Sequence, residues 1–325
     1  MLTLVTGANG FIGRSIVEQL LARGDRVRAV GRGDYPELRA LGVECVRADL
    51  ATPDAANSLA TAMRSVDVVF HVAAKAAPLW GPYDEFYRQN VSATQRVVRA
   101  AERAGVPKLV YTSTPSVAIG EEDIAGADES QPFPPRYLSP YPQTKALAER
   151  YVLGRTAIAT TAIRPHLVWG PRDPHLFPRL LARARAGRLV QIGDGTNMVD
   201  ITYVENCAEA HLLAADALGE RSALRGRAYF IGQERPVNLW AFINEVLGRA
   251  GLPPVRRRIS EGTALRLAEG LELLYGALGM PHMPPLTRMM VRQMARSHWF
   301  SHAAAQRDFG YGPRISIEEG LRRTL

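Results

Sequence analysis

Leu2-Thr3-Leu4-Val5-Thr6-Gly7-Ala8-Asn9-Gly10-Phe11-Ile12-Gly13 runs from an apolar strand through a three-glycine loop into the first turn of a helix. That context turns a glycine pattern into evidence for a dinucleotide site. The first glycine permits a tight turn, the second lets a pyrophosphate approach the backbone, and the third allows the helix to pack on the strand. The N–H groups at the helix start carry partial positive charge toward the diphosphate. Gly7, Asn9, Gly10, Phe11, Ile12 and Gly13 are therefore read as the cofactor loop.

Outward from this stretch, short β-branched runs alternate with helical patterns, which predicts a parallel sheet wrapped by helices. Strands are expected at Val27–Val30, Val43–Arg47, Val66–His71, Lys108–Ser113 and Ala159–Arg164, with helices at Phe11–Arg23, Tyr83–Ala104 and Tyr141–Gly154. The expected class is α/β: a Rossmann doubly wound parallel sheet with a smaller C-terminal substrate-binding lobe. Residues 1–165 would form the nucleotide-binding domain, to which later segments return, and 166–325 mainly the lobe. In the second half, helices are predicted at Phe177–Ala186, Val204–Leu218, Leu239–Ala250 and the leucine-rich Gly262–Leu278. Strands are predicted at Val199–Tyr203 and Ala228–Ile231. Asp308–Tyr311 reads as a turn, followed by a terminal helix capped by Ser316.

The chain of 325 residues is 46% hydrophobic and 22% charged, which suits a globular protein with a sizeable core. Its net charge of +8 comes from scattered arginines, without the basic stripe and interleaved aromatics of a nucleic-acid binder. Cys45 and Cys207 form no metal-binding or redox pattern and are expected to be reduced packing residues. No apolar run reaches the ~20 residues of a membrane span, and no signal peptide precedes the first strand. A cytoplasmic location is expected.

Three clusters carry chemistry. Tyr141 and Lys145 stand four apart, on one face of the predicted helix, so the ammonium is expected to lower the phenol's pKa and make it a proton donor. Thr112-Ser113-Thr114 ends a strand where open α/β sheets bind ligands. Strand alternation is expected to turn Ser113 away from Thr112 and Thr114. Val30-Gly31-Arg32 has glycine where an NAD site would carry an acid and a guanidinium beside it, which favours NADP(H). Asp49 and Leu50 are expected at the adenine, and Ala73 and Ala74 along the nicotinamide side.

These pieces resemble the extended short-chain dehydrogenase/reductase family over nearly the whole chain. The likeness covers Thr6–Gly13, Asp49-Leu50, His71–Ala74, Thr112–Thr114, Tyr141–Lys145, Arg164-Pro165 with Trp169-Gly170-Pro171, and Thr202–Val204. Gly31–Leu38, Tyr111–Val117 and His298–Ser301 resemble the 3β-hydroxysteroid dehydrogenase branch. Within it the chain is similar to the 2-alkyl-3-oxoalkanoate reductases of bacterial long-chain olefin biosynthesis. The resemblance implies Tyr141 as acid, Lys145 on the nicotinamide ribose, and Thr114 in the place usually held by serine. It implies reduction of a lipid-like 2-alkyl-3-oxo acid by NADPH, with a homodimer or a complex with a pathway enzyme as partner. A steroid or 4-carboxysterol 3-dehydrogenase, a sugar-nucleotide epimerase and an inactive NADP(H) sensor are the competing readings. Lys75, His166, Arg172 and His175 are the candidates for meeting a substrate carboxylate. The Gly262–Leu278 helix and the Met280–Met294 stretch are expected to supply an apolar channel wall.

Overall fold

In the computed structural model, which describes residues 1–76, 80–280 and 282–325, seven apolar segments lie side by side as one sheet. Its order is Arg227–Ile231, Ala159–Pro165, Lys108–Thr112, Val68–His71, Leu2–Thr6, Arg26–Gly31, Glu44–Arg47. Every neighbouring pair is parallel. Helices cover both faces, so the central strands read as continuous apolar runs. Ile16, Val17 and Leu20 of helix Phe11–Ala22 pack on one face with Ala208 and Ala215 of helix Val204–Ala217. Val97, Val98, Ala148 and Val152 cover the other. Truncating one of the larger of these side chains to alanine should cost ~2–5 kcal/mol. The doubly wound α/β fold expected from the alternation is the one observed.

The strand order reverses between Leu2–Thr6 and Val68–His71. Chains diverge there at the carboxyl ends, leaving the crevice in which such sheets hold ligands. The glycine loop opens directly into it.

Several expected elements differ in detail. The helix predicted over Tyr83–Ala104 is interrupted: one α-turn at Tyr83–Phe86, a π-helical segment at Tyr87–Ser92, then α-helix at Ala93–Arg103. Val199–Tyr203 is two short strands, Met198–Val199 and Thr202–Tyr203, in different sheets. Between them buried Asp200 accepts the Phe300 N–H at 2.7 Å. A second sheet was not anticipated; its order is Val237–Asn238, Met198–Val199, His298–Phe300, Ile124–Ala127. Its strands are too short to show a period of two. Asp308–Tyr311 begins inside a helix, Ala303–Phe309, which Gly310 ends in the left-handed region at φ 72°. Ser316 caps the terminal helix Ile317–Thr324 as expected, accepting the Glu319 N–H.

The leucine-rich helix spans Glu261–Ala277, and most of its leucines are uncovered. Ala264 and Ala268 are its buried residues, while Leu267, Leu273, Leu274 and Leu278 are 53%, 69%, 51% and 63% exposed. Periodicity reports an amphipathic face and not which face is covered. Residue 281, within the Met280–Met294 stretch, lies outside the described residues. Among the described residues, no helix is long and apolar enough to cross a membrane. Both cysteines are free; Cys207 is buried and Cys45 only partly so.

Candidate active site

The glycine loop is built so that side chains cannot enter it. Gly7 adopts φ 69°, and a Cβ there would lie 2.9 Å from the Ala73 nitrogen. At Gly13 a Cβ would come within 2.1 Å of the Gly7 carbonyl oxygen, so only glycine lets helix Phe11–Ala22 start this close to the strand. Gly10 is the residue before that helix and offers no side-chain cap, which leaves the N-terminal N–H groups for another acceptor. Asn9 and Gly10 are exposed at the rim, while Phe11 and Ile12 are half-buried.

A chain of hydrogen bonds pins the opposite wall. The Val72 and Ala73 N–H groups both donate to Thr6 Oγ1 at 3.2 Å, and that hydroxyl donates to His71 Nδ1 at 2.7 Å. His71 Nε2–H donates to Thr94 Oγ1 at 2.9 Å, and Thr94 donates to the Asn90 carbonyl at 2.5 Å. Burial, with Lys145 nearby, pushes the His71 pKa down to about 3, so the ring stays neutral.

Along this wall runs a cavity of about 180 Å³ that brings together Gly7, Gly31, Arg32, Asp49, Leu50, Ala73 and Ala74. Asn9, Gly10, Phe11, Ile12 and Gly13 do not line it; they form the rim and the packed helix start beside it. Tyr35 also lines the cavity, folded against Gly31 and Gly33. A Cβ at Gly31 would sit 2.3 Å from the Tyr35 hydroxyl, which in turn accepts the Gly33 N–H at 3.2 Å. These residues fit a dinucleotide: a glycine cradle, an open helix start, and a cavity beyond it.

Helix Pro140–Leu153 delivers Tyr141 and Lys145 to the end of strand Lys108–Thr112. Lys145 is 2% exposed; its Nζ donates to the Thr112 carbonyl at 2.6 Å and lies 4.1 Å from the Tyr111 ring centroid. Desolvation lowers its pKa to about 7, opposed by the charge of Glu149. Tyr141 departs from expectation. As a residue it is half-buried, yet desolvation of its hydroxyl raises its pKa, with a hydrogen bond from Thr114 opposing the rise. The expected lowering by Lys145 is absent: with its own pKa at about 7, Lys145 has lost its charge before the phenol titrates.

The three hydroxyls after this strand also separate differently from the simple alternation. Thr112 donates to His211 Nε2 at 2.8 Å, on the helix covering the opposite face. Ser113 Oγ is buried without a partner among the described residues. Thr114 faces Tyr141, and its Oγ1 accepts the Ser116 N–H at 3.2 Å. The strand ends at Thr112 and the chain turns at Pro115, so the pleat no longer sets direction.

Asn90 went unnoticed in the sequence. It is 1% exposed in the π-helical segment; its Oδ1 accepts the Lys75 N–H at 2.7 Å and its Nδ2 donates to Thr144 Oγ1 at 3.0 Å. It thereby ties the His71–Lys75 loop to the helix of Tyr141 and Lys145. A buried amide at a π-turn is a common mark of a functional position.

Three of the four expected carboxylate partners are engaged elsewhere. Lys75 Nζ is 2.6 Å from Glu85, and Arg172 pairs with Glu18 at 2.7 Å. His166 is buried against His298, its pKa held well below the usual value by burial and that neighbour. The His175 backbone N–H helps satisfy Asp173 at a helix start; its side chain is exposed and lines neither of the two cavities. Beside Thr114 and Tyr141 instead lies a small cavity of about 30 Å³, lined by Ser116, Arg136, Pro142, Met289, Arg292 and Gln293.

Residues 4–259 match the model of the 3-beta hydroxysteroid dehydrogenase/isomerase family. The chain belongs to that family. It lies in the extended short-chain dehydrogenase/reductase group and is an NAD(P)-dependent oxidoreductase. It is 45% identical to the 2-alkyl-3-oxoalkanoate reductase of Stenotrophomonas maltophilia, over 99% of this chain and 98% of that one. It is 35% identical to the decarboxylating sterol-4-alpha-carboxylate 3-dehydrogenase of Mus musculus, over 99% and 89%. Among solved structures, MoeE5 in complex with UDP-glucuronic acid and NAD superposes with a TM-score of 0.75 at 28% identity, covering 100% of this chain and 97% of that one.

Proposed function

We propose that this oxidoreductase uses NADPH to reduce the C3 ketone of a 2-alkyl-3-oxoalkanoate to the 3-hydroxy acid. The observation that carries the chemistry is Thr114 and Tyr141 facing one another beside a buried Lys145, with an end-to-end likeness to a reductase of that name supporting the substrate. Bound NADPH supplies a hydride at C3. Thr114 accepts the Ser116 N–H, and its own hydrogen, directed at Tyr141, would turn to the substrate oxygen. Tyr141 donates beside it and gives up its proton as the alkoxide forms. Its raised pKa keeps the phenol protonated at neutral pH, which suits the reducing direction. Lys145 would hold the nicotinamide ribose and restrain the tyrosinate left behind. Residues 1–165 would provide the nucleotide site and 166–325 most of the substrate lobe, with Met289 as an apolar wall.

NADP(H) is favoured over NAD(H) by Gly31 and Tyr35. Position 31 carries no carboxylate, and the Tyr35 ring occupies the space a side chain there would take. Arg32 lines the same cavity without an ion-pair partner among the described residues, and its planar fork suits a 2′-phosphate.

The likeness to the sterol enzyme supports a second reading, in which the same residues oxidise a 3β-hydroxysteroid or a 4-carboxysterol. A spectrophotometric screen at about 340 nm separates them, with NADPH or NADH against 2-alkyl-3-oxo acids and NAD(P)⁺ against 3β-hydroxysteroids. The proposal expects NADPH consumption with the oxo acids; turnover confined to the steroids would replace it.

A further inference from the structure

We infer that Arg136 is the group that binds the substrate carboxylate, a subsite that deepens the reading above and rests on it. A 2-alkyl-3-oxo acid places its carboxylate one carbon from the reacting ketone, so the cation that meets it must border the Thr114–Tyr141 site. The small cavity meets that condition: Ser116 donates to Thr114, and Pro142 follows Tyr141 directly.

Two guanidiniums line it, and their partners decide between them. Arg292 is already bracketed by acids, 2.6 Å from Glu261 and 3.0 Å from Glu121, so its charge is compensated within the fold. Arg136 has neither an ion-pair nor a hydrogen-bond partner among the described residues. It is nevertheless held in place. The Tyr137 hydroxyl donates to the Val117 carbonyl at 2.9 Å, fastening the segment to the turn that follows Thr114. On the other side, the Phe133 ring lies between Arg150 and Arg164, at 4.5 and 5.6 Å. An exposed, uncompensated guanidinium on an anchored backbone is prepared for a carboxylate through two parallel N–H donors.

This assignment also bears on the substrate's instability. A β-keto acid loses carbon dioxide when electrons flow from the carboxylate toward a polarised ketone. A guanidinium holding both carboxylate oxygens stabilises the ionised acid against that loss while Thr114 and Tyr141 polarise the ketone.

The test compares wild type, Arg136→Gln and Arg136→Lys, each checked for an unchanged melting temperature, on a 2-alkyl-3-oxo acid and on its methyl ester. The expected result is a KM for the acid raised about tenfold or more in Arg136→Gln and less in Arg136→Lys, with the ester's KM within about twofold throughout. An unchanged KM for the acid in Arg136→Gln, or an equal rise for acid and ester, overturns the Arg136 assignment and leaves the reductase reading standing. A wild type that reduces neither compound overturns both.

Discussion

Tyr141→Phe keeps the ring in its half-buried place and removes only the proton donor. Turnover should fall ~10²-fold or more while NADPH affinity, measured by fluorescence titration, stays within a few-fold. A matching loss of cofactor affinity would instead mark Tyr141 as a binding residue. At the other end of the cofactor, Arg32→Ala should raise the Michaelis constant for NADPH and leave that for NADH unchanged. Comparable kcat/KM for the two cofactors in the wild type would remove that reading. Lys145 provides a prediction that needs no substrate. Its pKa is about 7 in the fold against an ordinary 10.5. Below pH 7 both folded and unfolded chains bind the proton and the cost of burying the charge is fully present. Between about 7 and 10.5 the unfolded chain binds more, so stability rises with pH, by at most ~1.4 kcal/mol per unit from this group. Urea unfolding across that range should show the rise in the wild type and its loss in Lys145→Met; parallel curves would contradict it. The i, i+4 pairing of Tyr141 and Lys145 was legible because it is local. The direction of the tyrosine shift was not, because desolvation and the Thr114 hydroxyl come from a turn about thirty residues earlier.

At the scale of elements, helix Pro140–Leu153 must hold its position against the sheet to within a fraction of an ångström. Its lower half is fixed by Glu149, whose carboxylate takes two hydrogen bonds from Arg164, at 2.6 and 3.0 Å, in a site where the side chains are 1% and 5% exposed. Removing one partner leaves the other charge buried and unpaired. Glu149→Gln should therefore destabilise the protein by ~3–5 kcal/mol, read from chemical denaturation. A loss below ~1 kcal/mol would show that the guanidinium finds water or another acceptor. The helix itself was visible in the sequence, as were most strands of the large sheet, since apolar runs bounded by glycine and proline report them. The π-helical segment at Tyr87–Ser92 was not, because it depends on Asn90 reaching Lys75 and Thr144. Arg136 escaped notice for a related reason: only the packed cavity shows which cations lack a partner.

For the molecule as a whole, the doubly wound sheet puts the glycine loop, Thr114 and the Tyr141 helix at one sheet edge, although the loop lies more than a hundred residues before the other two in sequence. That arrangement followed from strand–helix alternation alone. The second sheet, from His298–Phe300 to Ile124–Ala127, did not, because two- to four-residue strands carry almost no periodic signal. It brings helix Arg288–Ala295, with Met289, against the small cavity. Each substrate methylene buried along that wall would contribute up to ~0.8 kcal/mol. Catalytic efficiency should accordingly climb with the length of the alkyl chains before levelling off; a flat series would show that the chains stay in water.

In the proposed reaction, hydride reaches C3 of an intact 2-alkyl-3-oxo acid under control of Thr114 and Tyr141. The decisive measurement uses NADPH carrying two deuterons at C4 and mass spectrometry of the product. The expected product is a 3-hydroxy acid that keeps its carboxylate and carries the label at C3, formed by the wild type and nearly absent with Tyr141→Phe. An unlabelled product, a decarboxylated ketone as the main species, or equal labelling by both proteins would contradict it.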